Sequence, residues 1–107
     1  MESLQIEPRE VKQRLDRGEQ FLLVDVREPW EHEICRIEGA RLIPLGSIPA
    51  NLAALEQAGE VVLYCHHGLR SLDAAAWLRA QGVEGACSLT GGIERWATEI
   101  DPGIARY

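Results

Sequence analysis

Two short, uninterrupted apolar runs stand out in the pattern of hydrophobic and polar positions along the chain. Residues 21–24 read Phe-Leu-Leu-Val and end in Asp25, and residues 61–64 read Val-Val-Leu-Tyr and lead into Cys65. Continuous apolar runs of this length are typical of strands that are covered on both faces, as in a parallel sheet. We therefore predict a buried parallel strand at each run, with a polar residue or a thiol at its carboxyl end.

Weaker signals around these runs predict the remaining elements. Pro8 begins a helical pattern that ends at Gly18, and Pro29 offers a second helix start. Further helices are predicted over residues 51–58, 72–80 and 92–100, and short strands over residues 4–6, 41–43 and 86–89. Strands that alternate with helices in this way predict an α/β fold, a parallel sheet with helices on both faces.

Composition narrows the classes of protein that the chain can belong to. Its 107 residues suit one domain with a core of its own, and we expect residues 1–107 to form that domain. The net charge of −6 has the wrong sign for binding nucleic acid, and no apolar run approaches the roughly twenty residues that span a bilayer. We expect the acidic residues between positions 28 and 33 to form a solvated face. An odd number of cysteines and no recognisable leader after Met1 favour reduced thiols in a cytoplasmic protein.

Cys65 opens a loop that lies between the second apolar run and a predicted helix. Parallel sheets bind ligands beyond the carboxyl ends of their strands, which is where this cysteine falls. Loop amides that converge just before a helix amino terminus form a site for an anion or a thiolate. Arg70, His66 and His67 add cationic character, and Gly68 permits a tight turn. We therefore predict that Cys65 is a nucleophile, the alternative being a buried structural thiol.

Four segments, spread over nearly the whole chain, carry recognisable motifs. They are residues 24–28 (Val-Asp-Val-Arg-Glu) with Trp30 and Glu31, residues 37–40 (Ile-Glu-Gly-Ala) with Ile43 and Pro44, residues 65–71, and residues 89–93 (Leu-Thr-Gly-Gly-Ile) with Trp96. In this order they resemble the signatures of the rhodanese family of sulfurtransferases. One departure is plain, because Cys35 and Arg36 stand where the family often has Gly-His before the second motif.

The resemblance implies a single rhodanese domain, a three-layer α/β fold with a central five-stranded parallel sheet. It also implies that Cys65 carries a sulfane sulfur as a persulfide. That sulfur would come from a small anionic donor such as thiosulfate and pass to cyanide, a thiol or a sulfur-carrier protein, with no cofactor. Within the matched loop, the residues expected to contact the substrate are His66, His67, Gly68, Leu69, Arg70 and Ser71.

Loop length bears on two other functions. Cys65 to Arg70 spans six residues, and Ser71 stands where related cysteine phosphatases place their phosphate-binding arginine. The shorter loop favours a single sulfur atom over a tetrahedral oxyanion, and so favours sulfur transfer over phosphatase or arsenate reductase activity. A catalytically silent binding module of the same fold is a further alternative, against which the intact cysteine counts. No metal is expected, because the Cys-His-His tripeptide lacks C-x-x-C or H-x-x-x-H spacing.

The remaining candidates are expected to support the site or the structure. Asp25 and Arg27 lie at the end of the first buried strand, where they could orient substrate or pair with each other, and we favour a supporting structural role. Trp30, Trp77 and Trp96 are expected to be packing residues rather than to stack on substrate, and of the three Trp30 has the best claim to line the mouth of the pocket. Cys35 and Cys87 are expected to be structural or passively exposed thiols.

Overall fold

A single parallel sheet forms the centre of the molecule. The computed structural model describes residues 3–107, and its strands are β1 (Gln5–Ile6), β2 (Leu22–Asp25), β3 (Arg41–Leu42), β4 (Glu60–Tyr64) and β5 (Gly85–Leu89). They lie in the order β1-β5-β4-β2-β3, and every neighbouring pair is parallel. The predicted α/β fold with five parallel strands is therefore confirmed.

Helices connect the strands, as parallel pairing requires. They are α1 (Pro8–Asp16), α2 (Pro29–Ile34), α3 (Leu52–Ala58), α4 (Leu69–Ala80) and α5 (Gly92–Glu99), with short 3-10 turns at Leu45–Ser47 and Pro49–Asn51. Proline occupies the first turn of α1 and of α2, where its missing N–H removes no helical hydrogen bond. A reciprocal capping box between Glu28 and Glu31 also fixes the start of α2.

The core lies on both faces of the sheet, and this explains why β4 is apolar throughout. Val61 and Leu63 belong to a cluster on one face, and Val62 and Tyr64 belong to a cluster on the other. The first cluster includes Leu55 of α3 and Ala74, Ala75 and Leu78 of α4, and the second includes Val11 of α1 and Ile93 and Trp96 of α5. Alternate side chains of the strand are thus buried against different helices.

The register of the central strands brings the polar residues to one edge of the sheet. Asp25 is the partner of Tyr64, and Val26 donates its backbone N–H to the carbonyl of Tyr64 over 3.0 Å. Cys65 therefore emerges beside residues 25–27, at the carboxyl ends of the two strands. This edge carries the predicted site.

The elements depart from the predictions most clearly in three places. α4 begins at Leu69 rather than at residue 72, so that part of the predicted loop forms the first turn of a helix. The first buried strand is shifted by one residue and includes Asp25. The two 3-10 turns before α3 were not predicted, because they have no apolar period of their own and are set by Pro44 and Pro49.

Gly92 allows α5 to approach the loop after β4. The N–H groups of Ile93 and Glu94 donate to the carbonyls of Cys65 and His66 over 2.9 and 3.1 Å. A Cβ at Gly92 would lie 2.5 Å from each of these two carbonyl oxygens, and the backbone there has a φ of 61°. Only glycine satisfies both constraints, because L side chains rarely adopt this conformation and nothing in the carbonyl contact is flexible.

The Gly92→Ala substitution is expected to lower the free energy of unfolding by about 2–4 kcal/mol, since it adds a backbone clash to backbone strain. Urea denaturation measures the change. Gly46→Ala is the matched control, because a Cβ there meets nothing within 4 Å and the backbone is not left-handed. Its effect should stay below about 1 kcal/mol. Equal effects of the two substitutions would show that the contact between α5 and the loop does not constrain position 92.

Candidate active site

Cys65 lies directly after β4, in a turn that leads at once into α4. Gly68 makes this turn with a φ of 101°, in the left-handed region that favours glycine. Its N–H donates to Cys65 Sγ over 3.1 Å, and the N–H of Ser71 in the first turn of α4 donates to the same sulfur over 3.4 Å. The sulfur thus faces backbone donors at the positive end of a helix, an arrangement that stabilises negative charge on it.

A pair of buried hydroxyls lies behind the sulfur. Ser71 Oγ is 3.5 Å from Cys65 Sγ and 2.7 Å from Ser88 Oγ of β5, and neither serine is exposed to solvent. Both hydroxyls also lie within 3.5 Å of the carbonyl of Gly68. When Ser88 donates to Ser71, the proton of Ser71 is free to point at the sulfur.

Arg70 forms a bidentate ion pair with Glu31 of α2. Its Nη1 and Nη2 donate to the two carboxylate oxygens over 2.8 and 2.9 Å. Glu31 is only 4% exposed, so the prediction of a solvated acidic face is wrong for this residue. Hydrogen bonding from Arg70, helped by Tyr107 and opposed by burial, lowers the pKa of Glu31 to about 2. The predicted substrate-binding arginine is therefore held by a carboxylate of the protein itself.

The two loop histidines are stacked rather than spread around the sulfur. The rings of His66 and His67 lie 4.0 Å apart, and the ring of Tyr107 lies 3.9 Å from His66 on a nearly parallel plane. Burial, followed by the charge of His67, lowers the pKa of His66 below its usual 6.5. The cationic character expected from a protonated His66 is therefore reduced, and Arg70 supplies the lasting positive charge beside the loop.

Asp25 and Arg27 pair with each other in a fully buried position. Arg27 donates through Nε and Nη2 to the two carboxylate oxygens over 2.9 and 2.7 Å, and through its backbone N–H over 3.0 Å. His32 Nδ1 lies 2.8 Å from the same carboxylate. Burial opposes ionisation of Asp25, but these hydrogen bonds outweigh it and hold the pKa of Asp25 below its usual range. The contact between Asp25 and His32 ties the end of β2 to α2.

The rim of the site carries exposed apolar side chains. Leu69, at the start of α4, is 75% exposed, and Trp30 is 59% exposed. The Trp30 ring meets the Tyr107 ring edge to face, with centroids 6.0 Å apart. The structure thus places Trp30 beside the loop through Tyr107, and it places Leu69 on the surface rather than next to the sulfur.

Three residues of the site were not predicted from the sequence. Ser88 interrupts an otherwise apolar strand, and this isolated hydroxyl was a usable signal. Glu31 was included among the acidic residues, and its burial depends on Arg70, which lies 39 positions away. Tyr107 meets Arg27 and Glu31 at separations of 80 and 76 positions, and no local pattern marks it.

The N–H groups of Gly68 and Ser71 that face Cys65 Sγ form an amide nest. The other two cysteines lie apart from it. Cys35 and Cys87 are half-buried and, like Cys65, carry free thiols. Cys35 Sγ is 3.8 Å from Arg27 Nη1, and its backbone is extended, with a φ of −162° that any residue adopts. The replacement of the family's Gly-His by Cys35 and Arg36 therefore strains no turn. Cys87 belongs to β5, and its Sγ lies 3.3 Å from Nη2 of Arg79 in α4.

Residues 3–107 lack two features, a cluster of metal ligands and a membrane-spanning helix. Within this range, His, Cys, Asp and Glu side chains form no group of three or more that could hold a metal ion. The helices of the same range include none with the length and apolar character that a membrane crossing requires.

Comparison with known proteins adds to this geometry. A family model described as the rhodanese-like domain matches residues 7–99, which include the Cys65 loop. The chain belongs to the rhodanese-like domain family. A crystal structure from Staphylococcus saprophyticus superposes with a TM-score of 0.81 at 32% identity and covers 94% of this chain and 97% of its own. The same fold thus accounts for almost all of both chains.

Named relatives place this rhodanese-like domain among sulfurtransferases. The probable adenylyltransferase/sulfurtransferase MoeZ of Mycobacterium tuberculosis is 42% identical over 95% of this chain and 26% of its own length. A sulfurtransferase of Allochromatium vinosum is 37% identical over 94% of each chain. The thiosulfate sulfurtransferase GlpE of Pseudomonas aeruginosa is 36% identical over 85% of this chain and 81% of its own. The chain spans about a quarter of the length of MoeZ, and 94% and 81% of the two shorter relatives.

The ion pair between the buried Glu31 and Arg70 should make the free energy of unfolding depend on pH. The pKa of Glu31 is lowered from 4.5 to about 2 in the folded chain, so its carboxylate contributes stability that is present above pH 4.5 and lost as the pH falls towards 2. The contribution is about 3 kcal/mol. In Glu31→Gln, the free energy of unfolding should no longer fall by this amount between pH 4.5 and 2. Urea denaturation at several pH values in this range measures the difference.

Glu33→Gln serves as the control, because Glu33 is an exposed carboxylate of the same helix. It leaves the Glu31–Arg70 pair intact, so its free energy of unfolding should still fall between pH 4.5 and 2. A Glu31→Gln curve parallel to the curve of the unmodified chain between pH 4.5 and 2 would show that the carboxylate is not stabilised by Arg70.

Proposed function

We propose that this rhodanese-like domain transfers a sulfane sulfur from a small anionic donor such as thiosulfate, through a persulfide on Cys65, to a thiophilic acceptor. The observation that carries the proposal is the position of Cys65 Sγ, which accepts N–H groups of Gly68 and Ser71 at a helix amino terminus. A thiolate, and then a persulfide anion, is the species that such donors stabilise. The name of the relative GlpE supports thiosulfate as the donor.

In the first half of the reaction, the Cys65 thiolate attacks the outer sulfur of thiosulfate. A bond forms between the two sulfurs, the S–S bond of thiosulfate breaks, and sulfite leaves with the electron pair of that bond. Arg70 is the cation next to the loop that attracts the anionic donor. Because Glu31 already occupies the guanidinium, the donor competes with an internal carboxylate for it. The reaction needs no oxidant, since sulfite carries the electrons away.

In the second half, the acceptor attacks the outer sulfur of the persulfide, and the Cys65 thiolate is released. Backbone N–H groups and the Ser71 hydroxyl stabilise the thiolate as it leaves. Cyanide is a laboratory acceptor, and a thiol or a sulfur-carrier protein is the cellular one. The relative MoeZ is named for both adenylyl transfer and sulfur transfer, which supports a protein acceptor. The sulfur atom is the carried group, so the reaction uses no cofactor, and we assign it to the cytoplasm.

Treatment with thiosulfate under anaerobic conditions should add the mass of one sulfur atom to the chain, and cyanide should remove it. The physical reason is that only a persulfide carries a sulfur that a thiophile can take back without a reductant. Intact-protein mass spectrometry measures both steps. Cys65→Ser should show no added sulfur and should abolish turnover of thiosulfate and cyanide.

Cys35→Ser and Cys87→Ser are the matched controls, because both thiols lie outside the amide nest. Each variant should load one sulfur and keep most of the turnover. If Cys65→Ser still loads a sulfur, or if a control variant fails to load while remaining folded, Cys65 is not the carrier.

The size of the loop supports sulfur transfer over phosphate chemistry. The Gly68 and Ser71 N–H groups reach Cys65 Sγ directly, at 3.1 and 3.4 Å, so the donors close around one sulfur atom. An oxyanion needs its donors farther from the thiolate, because the oxygens and the central atom lie between them. A phosphatase or arsenate reductase of this fold would therefore require a wider loop.

Insertion of one glycine between Gly68 and Leu69 should change the preference of the loop from a single sulfur atom to a tetrahedral oxyanion. It moves the arginine to the sixth position after Cys65 and widens the loop, while α4 and its amino terminus remain. We expect the variant to lose persulfide formation from thiosulfate and to gain binding of phosphate or vanadate, measured by mass spectrometry and calorimetry. The unmodified chain should hydrolyse no aryl phosphate. Aryl phosphate hydrolysis that requires Cys65 and outpaces sulfur transfer would replace this proposal with a phosphatase.

A further inference from the structure

The segment formed by residues 101–107 runs from the end of α5 back to the active site. Ile104 packs against the apolar cluster that α5 covers, and Arg106 forms an ion pair with Glu94 of that helix. These two attachments precede Tyr107 and bring it to the Cys65 loop. The family match ends at residue 99, so the segment lies outside the part of the chain that the family accounts for.

The side chain of Tyr107 is fixed over the loop by both its ring and its hydroxyl. The ring stacks on His66 at 3.9 Å with a 10° angle between planes. The hydroxyl donates to Glu31 Oε2 over 2.6 Å and accepts from Arg27 Nη1 over 2.9 Å. Two charged partners and a stacked ring give a defined position to a residue that is 36% exposed.

This position has a consequence for any molecule that must reach the sulfur. Cys65 is 1% exposed, whereas sulfur transfer requires a donor and then an acceptor to touch the outer sulfur. Tyr107 also shares a carboxylate oxygen with Arg70, because Glu31 Oε2 accepts from Arg70 Nη2 over 2.9 Å. A donor that draws Arg70 away from Glu31 alters the same oxygen that holds the tyrosine. Entry of the donor and release of the ring are thus linked through one atom.

We propose that Tyr107 is a specificity-determining residue that controls access to Cys65 and selects against large reactants until residues 101–107 move aside. A small anion needs only a slight displacement of the ring, whereas a bulky acceptor needs the whole side chain to leave its position on His66. The selection among sulfur acceptors rests on the proposed sulfur transfer. Control of access does not, because it concerns any reagent that reacts with the thiol.

Alkylation of Cys65 tests the proposal without sulfur chemistry. In a background with Cys35→Ser and Cys87→Ser, the rates with iodoacetamide and with the bulkier N-benzylmaleimide are measured at a pH where neither rate rises further. Tyr107→Ala should raise the iodoacetamide rate severalfold and the maleimide rate by at least about tenfold, the scale of one lost hydrogen bond to a charged group. Tyr107→Phe, which keeps the stacking and loses the hydroxyl, should give intermediate increases.

Trp77→Ala is the matched control, because Trp77 is an aromatic residue with the same 36% exposure that lines a groove with Leu45, Ile48 and Pro49 rather than the Cys65 loop. Its rates should equal those of the background chain. Unchanged rates in Tyr107→Ala overturn the control of access, and equal increases with the two reagents overturn selection by size. Because alkylation needs no persulfide, failure of this proposal is distinguishable from failure of the proposed sulfur transfer.

Discussion

The candidate active site depends on one short stretch of backbone that is held from two sides by helix amino termini. After β4, the thiol of Cys65 accepts the N–H groups of Gly68 and Ser71 from the side of α4. On the other side, the first N–H groups of α5 bind the carbonyls of Cys65 and His66. The sulfur and the main chain that carries it are therefore both fixed before any substrate arrives, which is the preorganisation that favours catalysis.

Buried polar groups extend this constraint into the rest of the fold. The carboxylate of Asp25 pairs with Arg27 just after β2 and lies 2.8 Å from His32 Nδ1 of α2, and the ion pair of Glu31 and Arg70 joins α2 to α4. Asp25, Arg27 and Glu31 are buried charged groups, which are costly unless they are fully paired, so these contacts fix α2 against β2 and α4. α2 is short and has few buried residues, and these ion pairs supply the attachment that its apolar side chains do not.

The sequence predicted the elements that short patterns of neighbouring residues determine. The apolar run of residues 61–64 predicted a strand buried on both faces, because alternate side chains face different helices. Glu31 and Tyr107 could not be found in this way, since their partners lie 39 to 80 positions away and only the folded chain brings them together. The start of α4 was misplaced for a different reason: a glycine in the left-handed conformation lets a helix begin inside a motif that reads as a loop.

The amide nest is built from main-chain N–H groups. Substitutions that move the backbone therefore affect it, whereas substitutions of exposed side chains do not. Substitutions at Gly68 or Gly92 alter the path of the backbone and so disturb the N–H groups that face the sulfur of Cys65. His67 and Leu69 have exposed side chains, and neither supplies an N–H to the sulfur. Substitutions of these two side chains leave Cys65 Sγ in the same position. The side chains around the loop can therefore vary while the main-chain donors to the sulfur stay in place.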